Sequence, residues 1–387
     1  VKNFLSLRDV SVEFGKLNVL IGPNASGKSN LLKALRLLRN HVRVGLPVLD
    51  EKSPTELPFG DLVYGFDVYK TIEVKAVIDY EGREVSYELR LSMDGYEEAI
   101  EKDGEIIYEY STRLGEIKGR PRYRASNGTL KDMPTGFTKI VTIAIRDVEG
   151  RLEKRQVDYY RSPLSFPPGD VDTAIRVVIE FLRGIGVFRF DPTAMRFSSR
   201  VAEEPVVEYS GANLARFLLH LYLERRRDFI RVEDAVKAFV PEVDEVIPHI
   251  EGDSVELWVR FRGLPLPLRP DYVSDGTLRL LAIASILGAG FSLVAIEEPE
   301  NHVHPHLLEA LVGLARSSPS QVVFTTHSPH LLDYVEPSEV LVVGRIGLET
   351  RIRRLTETRE VEAVKRFLEE GGTLGEAWYA KLFGEVE

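Results

Sequence analysis

Apolar residues follow two different spacings along the chain, and these spacings predict where strands and helices lie. An apolar run at 17–21 predicts a strand, and leucines at helical spacing within 29–39 predict a helix directly after it. From 69 to 91, apolar and polar residues alternate on both sides of Glu81-Gly82-Arg83, which predicts an antiparallel hairpin. Further strand-like runs at 106–110 and 139–146 extend this part into an antiparallel β lobe.

The spacing changes in the second half of the chain. Helical patterns occur at 171–183, 211–226 and 232–239. The last third alternates between helical and strand-like segments, at 277–287, 293–296, 305–315, 322–325 and 340–343. Alternation of this kind predicts strands joined by helices in a parallel sheet. We therefore predict an α/β fold that carries an antiparallel β lobe and a helical insertion.

Composition narrows the class of protein. The chain has 387 residues, of which 44% are apolar and 28% charged, as expected for a folded protein. No apolar stretch is long enough to cross a membrane or resembles a secretory leader. Because cysteine is absent, disulfides, thiolate catalysis and cysteine zinc sites are excluded, and the cytoplasm is the expected compartment. Few glutamines and methionines beside many Arg and Glu residues fit a thermophilic source.

The segment GPNASGKSN at 22–30 contains the phosphate-binding pattern G-x-x-x-x-G-K-[ST], between a predicted strand and a predicted helix. Its glycines let successive backbone N–H groups point at phosphates, Lys28 can reach the β- and γ-phosphates, and Ser29 supplies a hydroxyl for Mg²⁺. The pattern predicts ATP and Mg²⁺ as ligands. The residues predicted to contact the nucleotide are Gly22, Asn24, Ala25, Ser26, Gly27, Lys28, Ser29 and Asn30.

An apolar run that ends in Glu297-Glu298-Pro299-Glu300 predicts a buried strand with adjacent carboxylates at its tip. Carboxylates in such a place are costly unless a cation or a substrate lies beside them. We assign Glu297 to Mg²⁺ and Glu298 to the general base that activates water. The alternative is a solvated loop that simply follows a core strand.

The next predicted strand, 322–325, ends before His327, and neighbouring tips in a parallel sheet meet at one edge. We therefore predict that His327 faces the γ-phosphate, with a purely structural histidine as the alternative. The nearby His302, His304 and His306 lack the spacing of a zinc site, so no metal is predicted there. Ser274 and Asp275 precede an apolar helix, where an ordinary helix cap competes with an anion site as the interpretation.

Four segments in this order resemble the ABC-type ATPases of the RecF/SMC/OLD group, particularly compact prokaryotic AAA-family proteins without a long coiled coil or nuclease domain. They are GPNASGKSN at 22–30, VSDGT at 273–277, LVAIEEPEN at 293–301 and TTHS at 325–328. The resemblance implies a P-loop NTPase fold and a homodimer that encloses ATP between its two heads. Ser274 and Gly276 would then act on the partner's nucleotide, while Lys28, Ser29, Glu297, Glu298 and His327 act within one chain. Asn301 matches the loop that bridges the two sites.

The chain departs from the pattern of this group in three ways. Glu297 stands where most relatives have Asp, and no glutamine occurs between 30 and 155 to provide the usual contact to magnesium. Asp61 is a candidate replacement for that glutamine. The VSDGT segment at 273–277 corresponds to the signature sequence of these ATPases. Its Asp275 and Thr277 differ from the Gly-Gly-Gln form that transporters carry, which favours a branch that does not drive transport.

The resemblance leaves three tasks open. The first is an ATPase that acts on DNA in repair, chromosome maintenance or phage defence. Basic residues in two places are candidate DNA contacts, although such runs are also typical of solvated loops: Arg113, Lys118, Arg120, Arg122 and Arg124, and then Arg225, Arg226 and Arg227. The net charge of −10 confines any such contact to local patches. The other tasks are regulation of a separate effector such as a nuclease or toxin, and a transporter motor.

The domain organisation follows from the motifs. We predict that 1–160 forms the N-terminal part of the ATPase head with the β lobe, and that 161–265 forms a mainly helical insertion. Residues 266–350 would complete the head, and 351–387 would form a helical tail. Lys28 and Glu298 must then meet although they lie far apart in the sequence, so the chain is better described as one head with insertions than as two independent domains.

Overall fold

A computed structural model gives the fold of the chain. It describes residues 1–45, 56–57, 59–113, 116–117, 122–132, 138–146, 152–160, 162–202 and 206–384. The strands in this part of the chain are β1 (Lys2–Phe4), β2 (Leu7–Asp9), β3 (Leu17–Ile21), β4 (Glu56–Leu57), β5 (Ile72–Tyr80), β6 (Arg83–Ser92), β7 (Gly95–Lys102), β8 (Glu105–Arg113), β9 (Glu116–Ile117), β10 (Arg122–Arg124), β11 (Leu130–Asp132), β12 (Thr138–Arg146), β13 (Leu152–Tyr160), β14 (Ile185–Phe188), β15 (Ser199–Arg200), β16 (Val243–Glu251), β17 (Ser254–Phe261), β18 (Leu293–Glu297), β19 (Gln321–Thr326), β20 (Val340–Ile346) and β21 (Glu349–Arg354).

The helices are arranged mostly in the second half of the chain. They are α1 (Lys28–Val44), α2 (Phe59–Leu62), α3 (Thr173–Arg183), α4 (Pro192–Met195), α5 (Leu214–Glu224), α6 (Arg226–Phe239), α7 (Asp275–Gly288), α8 (Leu308–Ser317), α9 (Pro329–Leu332), α10 (Val361–Glu369) and α11 (Leu374–Tyr379). None of the described helices is long and apolar enough to cross a membrane.

The central sheet has the strand order β14-β18-β19-β3-β20-β21, in which every neighbouring pair is parallel except β20 and β21. Its inner strands are apolar on both faces, as in the LNVLI of β3, because both faces are covered. The parallel sheet predicted from the alternating pattern is confirmed, together with the α/β P-loop fold.

Successive residues of the central strands pack into different cores. Val19 and Ile21 of β3 join one core with α5, α6, α7 and α8, whereas Leu20 joins the other. The second core contains α1, α3 and the inner residues of the antiparallel lobe. Side chains alternate across a strand, so this partition places a helical layer on one face and α1 with the lobe on the other.

The lobe is a sheet with the order β11-β10-β8-β7-β6-β5-β1-β2, in which β9 also pairs with β8. The predicted hairpin is confirmed, since β5 and β6 pair up to Tyr80 and Arg83. The two turn residues, Glu81 and Gly82, have φ angles of 55° and 76°. Positive φ at both central residues fits the tight turn that matches strand twist, and glycine provides this conformation at little cost.

A buried carboxylate joins the lobe to α1. Glu98 of β7 is fully enclosed and accepts hydrogen bonds on both oxygens. Its Oε2 lies 3.0 Å from His41 Nε2 and accepts from Tyr87 at 2.9 Å. Its Oε1 accepts from Tyr108 at 2.6 Å and from Ser162 at 2.5 Å. Burial raises the pKa of Glu98, but His41 and the hydroxyl donors outweigh burial and lower that pKa below its usual 4.5.

The segment between the lobe and the last third of the chain contains the three helices expected there, now α3, α5 and α6. It also contributes β14 to the central sheet and forms the small antiparallel sheet β15-β17-β16. The proposed boundaries at 160, 265 and 350 stay a prediction.

Candidate active site

The phosphate-binding loop lies between β3 and α1, at the carboxyl end of the central sheet, as its position in the sequence predicts. The tip residues Asn24 and Ala25 are exposed, whereas Ser26 is buried. Gly27 has φ 105°, and a Cβ atom there would collide with the Thr350 hydroxyl. A Cβ at Gly22 would collide with the backbone of β20. Both glycines are therefore required by close packing as well as by the turn itself.

Side chains from two segments far apart in the sequence form hydrogen bonds that support the phosphate-binding loop. The Thr350 hydroxyl donates to the Ser26 carbonyl at 2.8 Å and lies 2.6 Å from the Ser6 hydroxyl. Ser6 in turn accepts from the Asn30 side chain at 2.7 Å. Asn30, which the sequence predicts to contact the nucleotide, thus forms a hydrogen bond with Ser6 in this structure. Sequence reasoning missed Ser6 and Thr350, because no local pattern marks either of them.

Lys28 is buried and lies against the loop that precedes it. Its Nζ donates to the carbonyls of Gly22 at 2.7 Å and Pro23 at 3.0 Å. Burial lowers the pKa of Lys28 to about 8, and the carboxylates of Glu298, Glu297 and Glu300 counteract that effect. A phosphate beside Lys28 would favour its charged form in the same way, so the ammonium group is placed to bind an anion.

Glu297, at the end of β18, lies directly beside Ser29 at the start of α1. The Ser29 hydroxyl donates to Glu297 Oε2 at 2.9 Å, and the Tyr209 hydroxyl donates to Oε1 at 2.7 Å. Tyr209 comes from the loop before α5 and was not predicted. Burial and the bond to Glu297 raise the pKa of Tyr209, so it acts as a neutral donor.

This pair of oxygen ligands suits Mg²⁺. The Glu297 side chain is buried, and within the described residues it forms no ion pair with a lysine or arginine. Mg²⁺ in nucleotide sites is commonly held by one or two protein oxygens and the substrate phosphates. Asp61, the predicted replacement for glutamine, lies in α2 with an exposed side chain. Its contact to magnesium stays a prediction, as does the assignment of Glu297 to Mg²⁺, whereas the hydrogen bond from Tyr209 to Glu297 is present in the structure.

Glu298 follows β18 and has a positive φ of 49°. Such a conformation costs about 1–3 kcal/mol in a residue other than glycine and persists where surrounding contacts impose it. The Glu298 N–H donates to the Thr325 carbonyl at 2.8 Å, and its carboxylate accepts from the Asn301 side chain at 2.6 Å. Asn301, predicted to bridge two sites, therefore also holds the predicted base within one chain.

His327 lies at the tip of β19, next to the tip of β18, as the parallel arrangement predicts. Its Nδ1 is 3.5 Å from Lys28 Nζ, and its Nε2 is 3.9 Å from Glu298 Oε1. Burial, followed by the charge of Lys28, lowers the pKa of His327 below its usual 6.5. The imidazole is therefore neutral at pH 7, so it can donate a hydrogen bond without adding charge.

Residues 274–277, which we call the signature turn, lie at the start of α7 and pack against the loop that follows β18. Ser274 caps the helix, accepting from the Thr277 N–H at 3.2 Å. Asp275 is 2.7 Å from Arg196 and 3.8 Å from His302. A Cβ at Gly276 would lie 2.6 Å from the His302 carbonyl oxygen. The helix cap is thus present, and Gly276 permits close contact between the signature turn and the neighbouring loop.

Two further residues at the acidic strand end were missed. Glu300 accepts from the Thr326 hydroxyl at 2.5 Å, and burial raises its pKa. Arg279 of α7 donates to the carbonyls of Glu297 and Glu298. The third carboxylate of the EEPE segment was a visible signal for Glu300. An arginine within an otherwise apolar helix was the corresponding signal for Arg279.

The first group of candidate DNA contacts is described only in part, and its described members belong to the lobe. Arg122 is 2.9 Å from Glu109, and Arg124 forms an ion pair with Glu105. Lys118 and Arg120 lie outside the described residues, as does the side chain of Arg113. The described members of this group are therefore ion-paired within the sheet.

The second group lies at the junction of α5 and α6, where Arg225 separates the helices and Arg226 and Arg227 begin α6. Arg225 is 2.5 Å from Asp228, and the guanidinium of Arg226 lies 4.3 Å from the centre of the Tyr222 ring. Arg227 is exposed. This group leaves Arg227 and part of Arg226 facing solvent, which is a small basic surface.

Comparison with known proteins gives the family of this site. A family model described as "AAA domain, putative AbiEii toxin, Type IV TA system" matches residues 17–131 and 149–333. The match includes the phosphate-binding loop, the signature turn and both strand tips described above.

Two curated relatives are similar to the chain. An OLD nuclease of Thermus scotoductus is 23% identical over 364 residues, which are 91% of this chain and 62% of the relative. The chain thus spans less than two thirds of that nuclease. A "Putative ABC transporter ATP-binding protein" of Geobacter sulfurreducens is 25% identical over 198 residues, which are 42% of this chain and 80% of the relative.

Solved structures of Smc head domains share the fold. One, bound to the C-winged helix domain of ScpA, has a TM-score of 0.52 and 15% identity, with coverage of 91% of this chain and 94% of that one. Another, with an extended coiled coil and the C-terminal domain of ScpA derived from Pyrococcus furiosus, has a TM-score of 0.51 and 14% identity. The superposed part covers 95% of this chain and 97% of the Smc chain.

Proposed function

Because this chain belongs to the AAA-domain family whose model covers its phosphate-binding loop and acidic strand end, we propose that it hydrolyses ATP between two copies of itself. Each phosphate-binding loop would bind one ATP with Mg²⁺. The signature turn of the second copy would complete the site. The class of P-loop ATPase comes from the family, whereas the homodimer, the use of magnesium and the residue roles are the proposal.

The observation that carries the proposal is the convergence of five groups at one edge of the sheet. His327 lies 3.5 Å from Lys28 and 3.9 Å from Glu298. Ser29 bonds Glu297, and each of these two residues is the sequence neighbour of a member of the first set. The contacts of Ser274 and Gly276, by contrast, are with their own helix and the loop after β18. A second copy that brings its signature turn to the phosphate would supply donors that one copy lacks.

We assign each of these residues a role in hydrolysis. Lys28 and the loop N–H groups bind the β- and γ-phosphates, while Ser29 and Glu297 hold Mg²⁺, which when bound neutralises charge on the phosphate oxygens. Glu298 accepts the proton of the water that attacks the γ-phosphorus. The neutral His327 donates to a γ-phosphate oxygen, one of the three equatorial oxygens over which the charge of the transferred group is spread in the transition state, while the electron pair of the broken bond goes to ADP.

A charge-neutral substitution at the base tests both hydrolysis and dimerisation. Glu298→Gln keeps the shape of the side chain but cannot take the proton, so we expect it to bind ATP and accumulate as a dimer in size-exclusion chromatography with light scattering. Hydrolysis should fall at least about 100-fold. Adding Lys28→Ala to Glu298→Gln removes the ammonium group that binds the phosphates. The double variant with ATP should therefore have the mass that the protein has without nucleotide. A Glu298→Gln protein of unchanged mass with ATP would refute the dimer.

The task that the ATP cycle performs is a separate part of the proposal. We propose that it acts on nucleic acid, as the name of the OLD nuclease relative suggests, with repair, chromosome maintenance or phage defence as the setting. The exposed Arg226 and Arg227 at the start of α6 would contact the phosphates. Filter binding of duplex DNA with ATP, at two salt concentrations, should show steeply weaker binding at higher salt.

The second candidate is an ATPase that gates a separate effector protein such as a nuclease or toxin. It is favoured by the ion pairs of Arg122 with Glu109 and of Arg124 with Glu105, because basic residues neutralised in this way bind phosphates weakly. Lack of DNA binding at low salt would support this candidate over the first. In either case the ATP supply of the cytoplasm is the reason to propose that compartment.

A further inference from the structure

Arg279 connects α7, which we call the signature helix, to the residues at the end of β18 within one copy of the protein. It lies in α7, which begins immediately after Ser274, and its side chain is buried. Its Nη1 donates to the Phe190 carbonyl at 2.6 Å. Its Nη2 donates to the carbonyls of Glu297 at 3.2 Å and Glu298 at 2.5 Å. A single guanidinium thus bonds three carbonyl groups from two separate segments, one after β14 and one at the end of β18.

These bonds matter most for Glu298. Its backbone has a positive φ, and the direction of the carboxylate depends on that conformation. The N–H of Glu298 is held by the Thr325 carbonyl, while its carbonyl accepts from Arg279 and from the Asn301 N–H. Arg279 is the charged member of this set, and charged donors form the stronger hydrogen bonds.

We propose that Arg279 is a positioning residue that fixes the Glu298 carboxylate by tying its backbone to the signature helix of the same copy. The proposal rests on the function assigned above. When the signature turn of that copy closes on the nucleotide of the second copy, any shift of α7 reaches Glu298 through this side chain. Arg279 itself touches neither ATP nor the attacking water.

Arg183 provides a matched control. It lies in α3 and also donates from one guanidinium nitrogen to two backbone carbonyls, those of Leu164 at 3.1 Å and Ser165 at 2.7 Å. These carbonyls belong to the segment that follows the lobe, and they have no part in the active site. Replacement of either arginine by lysine keeps the charge but loses the planar set of donors.

A double-substitution cycle separates positioning from general stability. Single-turnover ATP hydrolysis is measured for wild type, Arg279→Lys, Glu298→Gln and the double variant. We expect Arg279→Lys to slow hydrolysis about 10- to 100-fold in the wild-type background, as a displaced catalytic group does. In the Glu298→Gln background it should change the rate less than about twofold, since the group it positions is already disabled. Arg183→Lys should change the rate less than twofold in both backgrounds.

The ATP affinity of Arg279→Lys, measured with a fluorescent ATP analogue, should stay within about threefold of wild type. Equal slowing in both backgrounds, or no slowing in either, would overturn the proposal. If Arg279→Lys does not fold, Arg279→Gln takes its place, and failure of both to fold would also overturn it. Absence of ATP hydrolysis or of an ATP-dependent dimer in the wild type is a distinct result, which refutes the proposed function itself.

Discussion

Glu98 and its four partners allow a test of how the lobe is attached to the helix that carries Lys28. The change is Glu98→Gln, which keeps the size of the side chain and replaces one carboxylate oxygen by an amide NH₂ group. In the native protein Tyr108 and Ser162 donate to one oxygen, while Tyr87 and His41 contact the other. The NH₂ group therefore meets two donors whichever way the amide is turned.

The expected loss of stability follows from these contacts. At least two charge-assisted hydrogen bonds disappear in a fully buried site, and each contributes about 1.5–3 kcal/mol, so the free energy of unfolding should fall by about 3–6 kcal/mol. Unfolding entropy of about 2.1 cal/mol/K per residue amounts to about 0.8 kcal/mol/K for 387 residues. The melting temperature at pH 7 should therefore fall by about 4–7 °C.

The measurement is scanning calorimetry of wild type, Glu98→Gln and the control Glu97→Gln. Glu97 is the exposed neighbour of Glu98 on β7. Its substitution also removes one negative charge, but at a solvated position, so the free energy of unfolding should change by less than about 0.5 kcal/mol. Equal melting temperatures of the two variants would refute the reasoning. Because the pKa of Glu98 is lowered on folding, its contribution is present above pH 4.5 and is lost as the pH falls further. The difference between wild type and Glu98→Gln should shrink accordingly.

Two predictions concern the site itself. Tyr209→Phe removes the donor that orients Glu297, and we expect about tenfold weaker binding of Mn²⁺ as a magnesium substitute, measured by electron paramagnetic resonance with ATP present; unchanged binding would exclude this role. Gly276→Ala places a Cβ 2.6 Å from the His302 carbonyl oxygen and should displace the signature turn. We expect about tenfold weaker ATP-dependent dimerisation with unchanged ATP affinity of the single chain, and equal dimerisation would contradict the assigned packing.

Much of the site is visible in the sequence because its parts are local patterns with a known position in the fold. The loop at 22–29 is continuous, and Glu297, Glu298 and His327 follow short apolar runs whose length and alternation with helical segments favour inner strands. Once a parallel sheet is predicted, the tips of neighbouring strands must meet, so these residues could be brought together without coordinates.

The residues that sequence reasoning missed depend on contacts between distant segments. Tyr209 contacts Glu297 across 88 positions, and Thr350 contacts Ser26 across 324 positions. Neither stands in a pattern that marks its partner. Strand β14 was missed for a related reason, since four residues between helical segments are too short for periodicity to identify. Glu98 occupies a buried position of an alternating strand, where the pattern predicts an apolar residue.

At the acidic strand end, three separate parts of the chain form hydrogen bonds to the same residue, Glu297. Ser29 from the first helix and Tyr209 from the inserted segment each bond one oxygen of Glu297, while Arg279 from the signature helix bonds the Glu297 carbonyl. A change in any of these three segments therefore alters the position of a residue assigned to magnesium. Three segments far apart in the sequence thus each contribute one contact to Glu297, so its position depends on all of them together.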